Sequence, residues 1–168
     1  LDSIHDDGEV IMHLRRLVAG IWDHIKNSGK FPGSANLEMN WMGTLPGKRE
    51  SRRLMGPTVA TAHDFLSQRR FDDAIGYAGW PIDIHPPAGY QALEPGCTHD
   101  YLPGISDIPF GCIHSRNVAN LLFAGRHISV THEALGTLRL IPTTSVMGQA
   151  AAMAACLSLE HQVEPAAV

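Results

Sequence analysis

The sequence lacks most of the features that narrow function quickly. Its three cysteines, Cys97, Cys112 and Cys156, are odd in number and widely spaced, with no C-x-x-C pair. That excludes a disulfide framework and a zinc ribbon. Neither sign of charge prevails: 13 Lys and Arg stand against 17 Asp and Glu, interspersed along the chain. No basic face recommends nucleic acid or an anionic membrane as partner. There is no apolar run of transmembrane length and no signal peptide, so no membrane span is expected. Low-complexity tracts and internal repeats are missing too, which argues against disorder.

What is present is an ordinary globular composition. The 168 residues are 44% hydrophobic and 18% charged, one domain's worth of chain with enough apolar mass for a core. The ten histidines are many but scattered. Cys156, inside an alanine-rich run, reads as a small core residue. The chain opens on Leu1 rather than Met, and is expected to be part of something longer.

The organising stretch runs from Asn120 to Glu160. Leu121 to Ala124 is a continuous apolar run that predicts a strand buried on both faces. Gly125 stops it, and a polar loop with His127, Thr131, His132 and Glu133 follows. Pro142, Thr143, Thr144 and Ser145 then lead into Gly148, Gln149 and an alanine-rich helix. Small residues at such a helix start give a ligand access to free backbone N–H groups, which carry partial positive charge. Strand, glycine turn, polar loop and small-residue helix together plan a cofactor-binding corner of an α/β protein.

Upstream, apolar positions from Val10 to Ile25 recur at three and four, predicting an amphipathic helix over Glu9 to about Asn27, capped by Asp6 or Asp7. Phe31 to Asn36 reads as loop, Leu37 to Met42 as a possible strand, and Gly43 to Gly47 as a turn. A strand through Arg49 to Leu54 would put Glu50, Arg52 and Leu54 on one face. Thr61 to Gly76 reads as a helix, and Pro86 to Asp107 as a long loop over a site. Ile108 to Ile113 forms a short strand, and the tail after Glu160 should fray. Around Trp80 to Ile84 apolar residues alternate with Asp83 and His85, which therefore share a side. A carboxylate beside an imidazole can serve as an acid–base pair, or the two are merely a surface Asp and a half-buried His.

The run AGRHISVTHEALGTLRLIPTTSVMGQAAAMAA resembles the C-terminal flavin segment of glutathione-reductase-like, FAD-dependent oxidoreductases. GKRESRRLMG (Gly47 to Gly56) and GWPIDIHPP (Gly79 to Pro87) are similar to stretches of the same family, as is the I-P-F-x-C-I segment. The resemblance implies an α/β protein: the C-terminal part of a glutathione-reductase-like FAD/NAD(P)-binding fold with part of an α+β substrate domain. Residues 1–118 would belong to the substrate or cap domain, 119–161 to the FAD-binding domain and 162–168 to a tail. It implies FAD, with Gly125, Arg126, Thr143, Thr144, Gly148, Gln149 and Ala150 as its contacts, and hydride transfer from a small organic substrate. Arg52 gains a role toward flavin or substrate; spacing alone reads it as part of a solvated strand. His85 with Asp83, and His132 beyond the central strand, are the acid–base candidates, against a reading as mere hydrogen-bonding residues of a wet pocket.

The family's phosphate-binding G-x-G-x-x-G turn has no counterpart, since no G-x-G occurs in the sequence. A missing N-terminal half is therefore expected as partner, with FAD not retained by this chain alone and self-association through unpaired edges. A cytoplasmic location is the accompanying expectation. Two other classes stand beside the flavoenzyme: a metal site built from Asp83, His85, His127, His132 and Glu133, and a non-catalytic interaction module.

Overall fold

The computed structural model describes residues 2–48 and 50–168, with only the backbone at Tyr90. The chain divides into two compact units, Leu1–Ser51 and Arg52–Val168. The first unit is built on helix α1, Asp7–Asn27. Its start and end match the periodicity of Val10 to Ile25, and Asp7 and Glu9 place negative charge in its first turn. A short 3₁₀ turn, Pro32–Ser34, folds back on its end. The Lys26 ammonium donates to the carbonyls of Ser34, Ala35 and Leu37 at 2.8–3.0 Å, and the Ser34 hydroxyl donates to the Ile25 carbonyl. No α1 residue is fully buried, so its stripe is only half covered.

The second unit holds the core. Helix α2, Ala62–Leu66, starts from a capping box in which the Thr61 hydroxyl and the Asp64 carboxylate serve each other's backbone N–H groups. Strand β1, Ala74–Ala78, pairs antiparallel with β4, Ser106–Pro109; β2, Ile82–Ile84, pairs antiparallel with β3, Thr98–Asp100. Helix α3, His132–Leu138, and helix α4, Ile141–His161, follow each other with a bend of 94°. Phe65, Ile108, Ile113, Ile128, Leu135, Leu138 and Met147 fill the space between these elements. Each such side chain contributes roughly 1.5–3 kcal/mol of burial.

Glycines set two of the closest approaches. A Cβ on Gly136 would lie 2.9 Å from the Asp83 backbone, so α3 rides directly on β2. A Cβ on Gly76 would lie within van der Waals overlap of Val146, where α4 crosses β1. The result is a mixed α/β unit with two small antiparallel sheets.

Several expectations change. Leu121 to Ala124 is not a doubly covered strand: it makes one antiparallel bridge, His114 to Leu122, and Leu121 is exposed while Phe123 is buried. An apolar run signals burial, and only neighbouring backbone turns burial into a strand. The polar loop is shorter than expected, because Thr131 caps α3 and draws His132 and Glu133 into its first turn. Helix α4 begins at Ile141, since Pro142 fits a helix's first turn rather than preceding it.

The helix expected over Thr61 to Gly76 stops at Leu66, where Gln68 turns left-handed (φ 53°) and the chain re-emerges as β1. Leu37 to Met42 and the described residues of 49–54 are irregular, and Arg49 lies outside the described residues. The long loop of 86–107 contains β3 and the start of β4, while the expected strand 108–113 ends in a 3₁₀ turn at Phe110–Cys112. The tail folds back as a 3₁₀ turn, Pro165–Ala167, with Pro165 buried. Cys156 is exposed rather than core. No single helix among the described residues is long and apolar enough to cross a membrane, although the bent pair α3 and α4 passes that test of length and composition together.

Candidate functional site

Polar chemistry gathers on one face of the β2–β3 hairpin. Asp83 sits mid-strand in β2 and pairs directly across to His99 in β3. Alternation puts His85 on the same face as Asp83, as the D-x-H spacing predicts. The same alternation puts Cys97 beside His99, and extending the register one pair sets His85 opposite Cys97. The Asp83 carboxylate is the hub. Its Oδ2 lies 2.8 Å from the Arg139 guanidinium and 3.2 Å from Nε2 of His85, and its Oδ1 lies 3.4 Å from Nε2 of His99. Arg139 also donates to the Asp83 carbonyl at 3.0 Å.

Burial pushes the Asp83 carboxyl up, but the Arg139 hydrogen bond and the positive charge beside it win. The group is held below the usual carboxylate range. His85 is gripped from both sides: Nδ1 lies 2.9 Å from the Gly96 carbonyl while Nε2 faces Asp83. Both partners are acceptors, so only the doubly protonated ring donates to both.

Helix α3 is the element that builds this hub. The Thr137 hydroxyl donates to the Trp80 carbonyl, Gly136 touches the Asp83 backbone, and Arg139 caps the helix C-terminus with its head on the carboxylate. His132 lies seven positions before Arg139, at the other end of the helix, about 10 Å away along the axis. The two histidines expected to act as a pair are thus set at opposite ends of α3.

His132 and Glu133 are exposed. Glu133 is held low by its own backbone N–H, helped by the Thr131 hydroxyl and by charge from His132 and Arg53. Arg53, half-buried, therefore faces the α3 start, while Arg52 is exposed. The arginine stretch reaches this place because the Leu54 N–H donates to the His127 carbonyl at 2.8 Å. Gly56 then packs so tightly that a Cβ there would overlap the Gly111 carbonyl.

The expected cofactor contacts divide. Gly125 has φ +95°, a left-handed turn that suits glycine, and Arg126 beside it is exposed. Thr143 is buried in the first turn of α4. Thr144 and Ser145 turn their hydroxyls back onto the Ile141 carbonyl at 3.0 and 2.8 Å. Gly148, Gln149 and Ala150 lie two turns inside the helix, so their N–H groups belong to its ladder rather than to a ligand. The free donors at the helix start are those of Leu140, Ile141 and Thr143. Gly148 offers space instead: a Cβ there meets nothing within 4 Å.

Three members of the hairpin face were missed from sequence: Arg139, Cys97 and His99. The C-x-H of Cys97 to His99 mirrors the D-x-H of Asp83 to His85, and pairing those two tripeptides across a hairpin would have found it. The five residues of the expected metal set are not gathered, since Asp83 and His85 lie at one end of α3 and His132 and Glu133 at the other. The cleft of about 390 Å³ between β1 and α4 is lined by Asp72, Asp73, Ile75, Phe110, Met153 and Leu157, with Ala150 of the expected cofactor contacts, and holds none of the hairpin-face groups. Polar convergence is the better guide to chemistry here than hollow space.

The family model described as FAD dependent oxidoreductase matches residues 4–168. No curated protein and no solved structure matches the chain.

Proposed function

The chain belongs to the FAD-dependent oxidoreductase family, and from that premise we propose that it takes part in hydride transfer from a small organic substrate to FAD within a glutathione-reductase-like architecture. FAD, the cofactor of the intact protein, supplies the two-electron acceptor when bound. The described residues fit the ring end of such a group. The start of α4 has unpartnered N–H groups at Ile141 and Thr143, beside an open small-residue face at Ser145 and Gly148. In this reading residues 119–161 serve the cofactor, with Gly125 and Arg126 in the turn before it. Residues 1–118 serve the substrate, the 162–168 tail neither, and an N-terminal half holds the ADP portion.

The observation that carries the reading is the Asp83–His85–Arg139 network beside a family-matched flavin segment. Oxidising a C–H bond next to a hydroxyl or amine releases a proton as well as a hydride. His85 takes that proton on Nδ1 when its ring is neutral, and Asp83, facing Nε2, stabilises the cation that forms. Arg139 keeps Asp83 ionised for the task. To meet substrate the ring gives up one partner, and the Gly96 carbonyl is the one held by irregular chain rather than by a strand. Arg53, with Arg52 next to it, brings positive charge toward an anionic substrate or the reduced ring.

The test is anaerobic stopped-flow on the intact, flavin-loaded protein that includes the N-terminal half, using whichever member of a panel of alcohols, amines and hydroxy acids bleaches the flavin. His85→Gln should slow bleaching by roughly 10²–10⁴-fold, with flavin content unchanged. A variant that bleaches at the parental rate removes His85 from the chemistry.

A further inference from the structure

We propose that the β2–β3 hairpin binds one divalent transition-metal ion of the zinc type through Asp83, Cys97 and His99. One ligand atom from each of these three lies within 4.8 Å of the other two, before any ion draws them together. Ligand atoms around tetrahedral zinc sit about 2.0–2.3 Å from the metal, so a small rotamer adjustment closes the set. A thiolate, an imidazole and a carboxylate are a borderline-soft donor set, suited to zinc or cobalt and unsuited to calcium or magnesium.

Two further observations point the same way. Oδ1 of Asp83 is buried and makes no hydrogen bond, and its contact is with Nε2 of His99 at 3.4 Å, so this oxygen is turned toward a second member of the set. The opposite oxygen is held by Arg139 and His85, which fixes the carboxylate's orientation as outer partners of metal ligands do. His99 is held by strand pairing, and Cys97 immediately precedes that strand. The charges also close: metal, thiolate and carboxylate sum to zero, leaving Arg139 with its single positive charge. The thiol gives up one proton on binding. Three protein ligands leave the fourth position open to water or to a substrate oxygen.

The site shares Asp83 with the flavin reading, but its test does not use activity. The tag-free, metal-stripped chain is titrated with Co²⁺ and followed by absorbance. One equivalent should produce tetrahedral ligand-field bands and a thiolate-to-cobalt charge-transfer band, both abolished by added Zn²⁺. Cys97→Ser should remove the charge-transfer band. His99→Gln should weaken binding by at least the ~10–100-fold typical of a lost outer partner. Cys156→Ser, which changes the exposed thiol on α4, should leave the spectrum intact. Far-UV circular dichroism of each variant confirms the fold, and Cys97→Ser, an exchange of sulfur for oxygen, keeps the side chain's size. An absent charge-transfer band at excess Co²⁺, or one that survives Cys97→Ser and vanishes in Cys156→Ser, overturns the assignment.

Discussion

At the scale of single residues, Asp83 concentrates the most consequence. Its partner Arg139 is only 14% exposed, so removing the carboxylate's charge strands a partly buried cation. Asp83→Asn should therefore destabilise the fold by about 1.5–3 kcal/mol, the range for hydrogen bonds to charged groups, as measured by urea unfolding. The pH dependence follows from the same geometry. The folded Asp83 carboxyl titrates below its unfolded value, near 3.9. Its contribution is therefore complete above that value and is lost as pH falls through the lower, folded one. Asp64 adds to the same acid window: burial pushes it up, but the Thr61 N–H, the Thr61 hydroxyl and Arg69 bring it below the ordinary range. Stability should thus fall on strong acidification, less steeply in Asp83→Asn. An equal slope in parent and variant would show that Asp83 does not couple folding to protons. Cys112 behaves oppositely and stays a thiol, since burial pushes it up to about 12.

At the scale of elements, short helices here depend on their ends. The five residues of α2 cannot hold a helix by propensity, so the capping box decides whether it forms. Thr61→Ala should cost about 1 kcal/mol and loosen the Ser106 hydroxyl's bond to the Phe65 carbonyl, visible as faster amide exchange in β4. Glycine positions give a paired contrast. Gly56→Ala forces a methyl into the Gly111 carbonyl and should cost several kcal/mol or block folding. Gly148→Ala meets open space inside a 21-residue helix and should stabilise the chain by up to ~1 kcal/mol. In the flavin-loaded protein a larger side chain, Gly148→Leu, should instead lower flavin content. Unchanged content would mean that the ring does not lie on this face of α4.

At the scale of the whole molecule, α4 is the feature out of balance. It is apolar almost all round, a pattern of helices covered on every side. Yet Ile141 and Leu159 are each 82% exposed and Met153 61%. An uncovered face of that kind favours association. The chain should sediment as a dimer or larger species at high concentration, and Leu159→Glu should shift it toward monomer. With no G-x-G turn in its sequence, it should also bind FAD more weakly than micromolar in equilibrium dialysis. Tighter binding would mean that the described residues suffice for the cofactor.

The sequence determined the things that depend on near neighbours. The period of Val10 to Ile25 fixed α1 to within two residues at its start. The two-residue spacing of Asp83 and His85 fixed their shared face, because alternation in a strand is a local property. The motifs of residues 120–160 fixed the family. What it left open depends on distant partners. Whether Leu121 to Ala124 becomes a strand rests on what backbone lies alongside, and only one bridge is there. Thr131 and Pro142 carried helix-start chemistry that could have been read directly, and doing so would have moved His132 and Glu133 out of the loop. No local signal, by contrast, joins Arg139 to Asp83, 56 positions away, or sets Cys97 and His99 across from Asp83 and His85. Those contacts exist because Gly136 lets α3 settle onto β2 and because the hairpin register pairs residue 83 with residue 99. Both are decisions of tertiary packing, and they are what gather scattered polar residues into one site.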